Sequence, residues 1–342
     1  MLEIDGSYGE GGGQIIRTAV AFSVLTGEPI RVFNIRAKRP SPGLKAQHKT
    51  AIECLSKICN GECKGLDEGS SEIVFKPGRI QTGSYEFNTG TAGSITLIFQ
   101  ACILALHQTH DPITIRIKGG SDVPWSPSFD YFKKVFLKLI SNMNIHVDAI
   151  LHKRGYYPKG GGEASIIIHP YKGIKPLQLK DKQQFKHADG VIHISRLHSD
   201  IGRRMKHSAI QHLLKHNLTS SIHIEESTAD SEGTGITLYT ISNGSVLGSS
   251  MLGEKGLRAE KVGEKAAINL CCEIESGATI DVYGFDQILP YMALSSNIGS
   301  SSVIVRDVSS HAETNIWLIK NFLEVSCDIY KYENRYLINI HR

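Results

Sequence analysis

Three stretches of this chain combine residue types that suit chemistry on phosphorus. The first, Gly6-Ser7-Tyr8-Gly9-Glu10-Gly11-Gly12-Gly13-Gln14, lies between a predicted strand and a predicted helix, where free backbone N–H groups can face an anion. It lacks the Lys-Ser/Thr ending of a Walker A loop and does not fit a dinucleotide fingerprint, so any phosphate is held in another way. A flexible turn is the alternative reading of such a run. Arg17, one turn into the next helix, is a cation on an otherwise apolar segment; it needs an acid such as Glu10, or a ligand.

The second stretch puts Arg36, Lys38, Arg39 and Lys45 within ten residues. At a strand end and a helix start they make a seat for phosphate, with Arg able to bind it through a two-pronged fork. Gln47 and His48 lie on the first turn and a half of that helix. The bland alternative is a solvated basic loop. The third stretch is Ser309-Ser310-His311-Ala312-Glu313-Thr314-Asn315, at the entry to a helix. A neutral imidazole is a competent nucleophile toward phosphorus, and a helix N-terminus stabilises a bound phosphate. Fifteen His are present, so residue type alone does not single out His311.

The elements that must position these residues recur along the chain. Residues 29–34, 112–117 and 302–305 read as strands. Each leads to a Ser-marked helix start, at Ser41-Pro42, Ser126-Pro127 and Ser309-Ser310, chemistry that helix N-termini favour. Two β-rich stretches follow each helix, such as 145–151 with 163–168. A glycine-punctuated helix precedes each strand: 14–25, 93–106 and a shorter segment around 286–295. The unit is β-α-β-α-β-β, with a first-to-second offset of about 80 residues.

The third copy is interrupted by a polar, His- and Ser-rich stretch with strands at 190–195, 221–226 and 235–242, and helices at 201–216 and 257–276. The expected fold is therefore α/β (α+β). Three repeated βαβαββ units form a large domain, residues 1–180 and 278–342. A smaller α/β domain, residues 181–277, is inserted in the third unit. Gly160-Gly161-Gly162 precedes a strand and reads as turn geometry.

Composition is ordinary for a soluble protein, with 41% hydrophobic and 21% charged residues over 342 positions. The apolar run from Leu97 to Leu106 is broken by Gln100 and falls short of a membrane span. Met1 to Asp5 carries neither a basic nor an apolar leader region, so no signal peptide is expected and a cytoplasmic location is. Net charge of +4 permits a polyanionic partner without demanding one. Seven cysteines include no CxxC pair. Cys54, Cys59 and Cys63 lack a matching His or Cys pair at zinc-site spacing and read as reduced thiols.

Gly9 to Arg17, Arg36 to His48, Gly93-Ser94 with Gln100, Gly119 to Asp122, Tyr156 to Gly162, Asp286-Gln287 and His311 to Asn315 together resemble the RNA 3′-terminal phosphate cyclase family. These segments span nearly the whole chain in the family's order; the insert matches in position and length only. The resemblance implies the same repeated fold and a three-step, ATP-dependent reaction. His311 takes AMP from ATP, an RNA 3′-phosphate takes AMP from His311, and the adjacent 2′-hydroxyl closes a 2′,3′-cyclic phosphate. It also implies Glu10 as the Mg²⁺ or Mn²⁺ ligand, and Arg17, Arg36, Arg39, Gln47 and His48 as holders of ATP or RNA phosphates. Gln100, Tyr283, Gly284, Phe285, Asp286 and Gln287 would form the nucleotide pocket, with Tyr283 at the adenine. ATP rather than GTP is carried by the resemblance alone. The expected partner is RNA with a 3′-terminal phosphate; a homodimer stays open.

Three rivals remain on sequence. A non-catalytic cyclase-like protein of RNA processing and ribosome assembly would lack the nucleophile and the intact basic loop. An enolpyruvyl transferase would not need a His at 311. A sequence-tolerant RNA-binding module would show interleaved aromatics and cations, and none occur.

Overall fold

A computed structural model describes residues 1–342, and the architecture is mixed α/β, with four four-stranded sheets. The first sheet is built from β1 (Leu2–Asp5), β2 (Ile30–Phe33), β3 (Glu62–Lys64) and β4 (Ile73–Lys76), with α1 (Gly13–Thr26) and α2 (Ala46–Ile58) between its strands. Its order is β1-β2-β4-β3. Only the first pair is parallel, Leu2 facing Ile30.

The second sheet repeats that order as β5-β6-β8-β7, again with a parallel first pair. Its strands are β5 (Gly83–Asn88), β6 (Ile113–Gly119), β7 (Val147–Lys153) and β8 (Gly162–Ile168). Ile113, Ile115 and Ile117 point inward while Thr114, Arg116 and Lys118 face out, the period-two pattern of a strand with one buried face. α3 (Ile95–Leu106) precedes β6. After β6 a continuous helical run comprises α4 (Phe129–Tyr131), a π-helical turn (Phe132–Phe136) and α5 (Leu137–Asn142).

After β9 (Gln178–Leu179) comes a sheet of its own, β11-β10-β12-β13. It contains β10 (His187–Ser195), α6 (Asp200–Lys215), β11 (Thr219–Ser227), β12 (Gly233–Ser242), β13 (Ser245–Leu252) and α7 (Ala259–Ser276). The chain then resumes with α8 (Val282–Leu294), β14 (Ser301–Val305), α9 (Ser310–Ile319), β15 (Ser326–Tyr332) and β16 (Arg335–His341). These strands pair with β9 in the order β15-β16-β14-β9, and β9 lies parallel to β14.

One apolar cluster of 64 buried residues runs from Ile4 to Ile340. A separate cluster of 18 lies wholly within residues 188–278. α1 packs against α2, α3 and α9 at the same time, while α8 packs against α3 and α9. That arrangement gathers three helix starts from distant parts of the sequence. No helix is long and apolar enough to cross a membrane.

Two expected helix starts are displaced. The segment after Ser41-Pro42 is a turn rather than a helix, because Arg36 (φ 54°) and Gly43 (φ 77°) bend it. The Arg36 guanidinium then pins it by donating to the carbonyls of Ser41 and Gly43. The helix begins at Ala46, with Lys45 at the N-cap position and its backbone N–H donating to His48 Nδ1. In the second case Ser126 spends its hydroxyl on the Val123 carbonyl, and Ser128 caps the helix by accepting from Tyr131 N. The expected Ser309 start is observed, and the Gly160–Gly162 turn has positive φ at Gly160 and Gly161. α8 begins four residues ahead of the expected segment because Asp281 accepts from Gly284 N.

Candidate active site

The glycine loop is laid against α9 by an aromatic stack. Tyr8 lies flat on Trp317, ring centroids 3.9 Å apart and planes 8° from parallel. Gly9, at φ 54°, comes so near Thr314 that a Cβ would stand 2.5 Å from its Oγ1. Space and backbone both demand glycine there. Gln14 Nε2 donates to the His311 carbonyl at 3.4 Å.

These contacts carry Glu10 to the start of α9. One carboxylate oxygen accepts from Ser310 Oγ; the other lies 3.0 Å from Arg39 Nη2 and 3.7 Å from His311 Nε2. The Ser310 hydrogen bond, then the charges of His311 and Arg39, hold the Glu10 carboxyl below its ordinary value against the cost of burial. His311 keeps 46% of its side chain open to solvent.

The start of α9 is itself fixed from α8. Ser309 Oγ accepts from Ala312 N at 3.0 Å and donates to Asp286 Oδ1 at 2.6 Å. Asn315 Nδ2 donates to the Asp286 carbonyl at 2.9 Å. Burial pushes the Asp286 carboxyl up to about 7 despite the Ser309 bond. On the same helix Gln287 Oε1 accepts from Gln100 Nε2 at 2.6 Å, tying α8 to α3. Tyr283 is 67% exposed on the first turn. Gly284 serves the Asp281 cap through its N–H, and the Phe285 ring belongs to the core.

Cations collect behind the glycine loop. A Cβ on Gly13 would fall 1.9 Å from His48 Nε2, and one on Gly12 3.2 Å from Arg39 Nη2. The two glycines therefore let the loop backbone lie directly on an imidazole and a guanidinium. His48 Nδ1 accepts from Lys45 N at 3.2 Å, which turns Nε2 toward the loop. Burial, followed by the charges of Arg17, Arg36 and Lys45, depresses the His48 imidazole to about 3, so the ring is neutral.

Arg39, not Arg17, takes Glu10. Arg17 is left without a counterion, and burial alone lowers its guanidinium to about 10. Arg36 is lowered too, by burial and then by Arg39, and only its Nη1 is engaged. Gln47 Oε1 accepts from Ser94 N at 3.0 Å, leaving its amide N–H groups free. An ionised acid, a half-exposed imidazole and an uncompensated guanidinium thus lie along one chain of contacts. Sequence reasoning placed Ser310 in the helix start and Lys45 among the phosphate-seat cations, and gave no role to Trp317. An aromatic on the predicted α9, facing a tyrosine in the glycine loop, was the available signal for the last.

A family model described as RNA 3′-terminal phosphate cyclase matches residues 8–329. The chain belongs to the RNA 3′-terminal phosphate cyclase family. Among its relatives, the RNA 3′-terminal phosphate cyclase of Methanosarcina barkeri is 44% identical over 340 residues, 99% of this chain and 100% of the relative. That of Sulfurisphaera tokodaii is 44% identical, covering 96% of each chain. That of Methanopyrus kandleri is 40% identical over 96% of this chain and 95% of its own.

In this cyclase-family chain the Gly119–Asp122 and Tyr156–Gly162 segments flank a buried ion cluster. Arg154, 4% exposed, lies 3.2 Å from Asp122, 2.9 Å from Asp130 and 2.6 Å from Glu225. Tyr156 Oη shares a hydrogen bond with His193 Nδ1 at 2.8 Å. The cluster locks the β10–β11 edge to the second sheet. Cys54, Cys59 and Cys63 do not converge on a metal-binding geometry; Cys54 faces Cys102 in the core.

Proposed function

We propose that this chain converts the 3′-terminal phosphate of an RNA to a 2′,3′-cyclic phosphate at the expense of ATP, with His311 carrying AMP. The observation that carries this reading is the half-exposed His311 ring at the N-terminus of α9, 3.7 Å from Glu10, in a member of the cyclase family. In the first step a His311 ring nitrogen attacks the α-phosphorus of ATP. A P–N bond forms, the bond to the β-phosphate oxygen breaks, and pyrophosphate leaves. In the second step an oxygen of the RNA 3′-phosphate attacks that adenylate and frees the imidazole. In the third the neighbouring 2′-oxygen attacks the 3′-phosphorus, and AMP departs.

Activation is needed because a phosphate dianion offers no acceptable leaving group, and the last attack is intramolecular. RNA is distinguished from DNA by the reaction itself, whose final nucleophile is the 2′-hydroxyl. Arg17, with no acid of its own, gains most from a bound phosphate; Arg36, Arg39, Gln47 and neutral His48 extend the cradle. Tyr283, Gln100 and Gln287 hold the nucleoside, on the turn of α8 that buried Gly284, Phe285 and Asp286 shape.

Glu10 is a carboxylate beside His311 that solvent reaches, and it is held ionised. One carboxylate plus substrate phosphates is a usual setting for Mg²⁺ or Mn²⁺, so the donor set fits such an ion. Bound there, the ion would neutralise charge on the ATP phosphates. The identical strand order and parallel first pair of three sheets support three βαβαββ units, residues 1–180 and 278–342, with 181–277 as an inserted module. RNA processing of this kind fits a cytoplasmic setting.

The test is incubation with ATP labelled at the α-phosphate and Mg²⁺, comparing wild type with His311→Asn. Acid-labile, alkali-stable label on wild type alone is expected. Label on both moves the nucleophile elsewhere; label on neither folded protein, at any metal concentration, favours the non-catalytic relative.

A further inference from the structure

Residues 181–277 carry a set of donors that the reaction above leaves unused. His212 lies in the last turn of α6, and His216 is the residue at its C-cap. α7 packs along that helix and presents Cys271. One ring nitrogen from each histidine and the Cys271 Sγ lie within 4.8 Å of one another. The two rings are 4.7 Å apart between centroids. Two part-exposed imidazoles from the end of α6 and a buried thiol from α7 thus converge on one point.

Hydrogen bonding around the rings leans the same way. Glu275, one turn beyond Cys271, accepts from the His216 ring at Nδ1 and leaves Nε2 free. A carboxylate on one ring nitrogen is the arrangement that orients a ligating histidine through the other. The Cys271 side chain is 2% exposed.

We propose that His212, His216 and Cys271 bind one thiophilic divalent cation of the Zn²⁺ class, Glu275 orienting His216 and water filling the fourth position. Two nitrogens and one sulfur are a tetrahedral Zn²⁺ donor set, with an open site. On binding, the metal–sulfur bond forms as the Cys271 S–H proton is released to solvent. The consequence is mechanical. The second apolar cluster has 18 buried residues against 64 in the first, and a core that small gains most from a staple. The other three-residue grouping, Asp122, Asp130 and His193, does not compete, because the Arg154 guanidinium already fills the place of a cation.

The test needs neither ATP nor RNA, so its outcome is independent of the proposed reaction. Metal-stripped full-length chain is titrated with Co²⁺ alone and then with Zn²⁺. A thiolate-to-cobalt charge-transfer band saturating at one Co²⁺ per chain is expected, and Zn²⁺ should displace it. The band should persist in Glu10→Ala and His311→Asn, vanish in Cys271→Ser, and weaken by more than about tenfold in affinity in His212→Gln. The His212 change, on a half-buried helix face, keeps the test decisive where Cys271→Ser does not fold. No band in folded wild type overturns the proposal. So does a band that survives Cys271→Ser, including one that then depends on Cys272.

Discussion

Replacing Asp286 by Asn tests whether the site is built on a carboxylate held against its preference. Asp286 is 7% exposed, and burial pushes its carboxyl up to about 7 from an ordinary value of about 3.9. The folded chain therefore keeps a proton that the unfolded chain has lost between those values. The stability owed to it is complete below the unfolded value and is lost as pH rises through about 7. Between about pH 5 and about pH 8 the loss is about 2–3 kcal/mol, at about 1.4 kcal/mol per pH unit. Asn has the same shape, and its amide oxygen still accepts from Ser309, but it cannot ionise. Glu273 and Asp130, raised to about 7 and about 6, add slopes of the same sign in both proteins. The difference between the proteins thus isolates Asp286. Urea unfolding across that pH range should show Asp286→Asn gaining on wild type as pH rises, with adenylylation retained because the Ser309 cap survives. Stability curves that stay parallel with pH would refute the assigned ionisation.

Gly13→Ala places a methyl 1.9 Å from His48 Nε2; the loop or the ring must shift, costing about 1–3 kcal/mol. Thermal unfolding should show the cost, and the KM for ATP should rise because the phosphate cradle moves. Arg154→Met leaves Asp122 and Asp130 buried without a counterion, a loss of about 3–5 kcal/mol. Denaturant unfolding should find that loss smaller in acid, where Asp130 takes a proton, and adding Asp122→Asn should recover part of it.

Most element types were legible because local chemistry specified them. Ser309 caps α9 as its sequence position suggests, and the alternating isoleucines of β6 declare one buried face. The starts at Ser41 and Ser126 were misread for a tertiary reason: the Arg36 guanidinium holds one turn, and Ser128 offers a better cap than Ser126. β13 was passed over although Asn243-Gly244, both at positive φ, mark the hairpin that joins it to β12. Its Ser-rich composition hid a strand that the turn announces. In the site, the glycine loop, the basic loop and His311 were visible as residue types. That Glu10 would choose Arg39 over Arg17, and that His48 would be buried under Gly13, depends on α1, α2 and α9 packing together. Hydrophobic periodicity specifies that packing only as a face, never as a partner.

The choice of Arg39 by Glu10 has a chemical reason beyond geometry. Had Glu10 paired with Arg17, the half-buried cation would be neutralised and an incoming phosphate would have to displace a carboxylate before binding. With Glu10 on Arg39, Ser310 and His311, the acid organises the nucleophile's end of the site. Arg17 and its neighbours keep a positive charge that is half-buried and unpaired. A half-buried charge without a partner costs folding free energy, and a phosphate that supplies the missing partner returns part of that cost as binding. His48 belongs to the same economy. Held neutral beside three cations, it adds no further repulsion, yet it offers Nε2–H at the loop as a donor. The site is thus under strain of one sign before substrate arrives, and an anion with several oxygens is the ligand that relieves it.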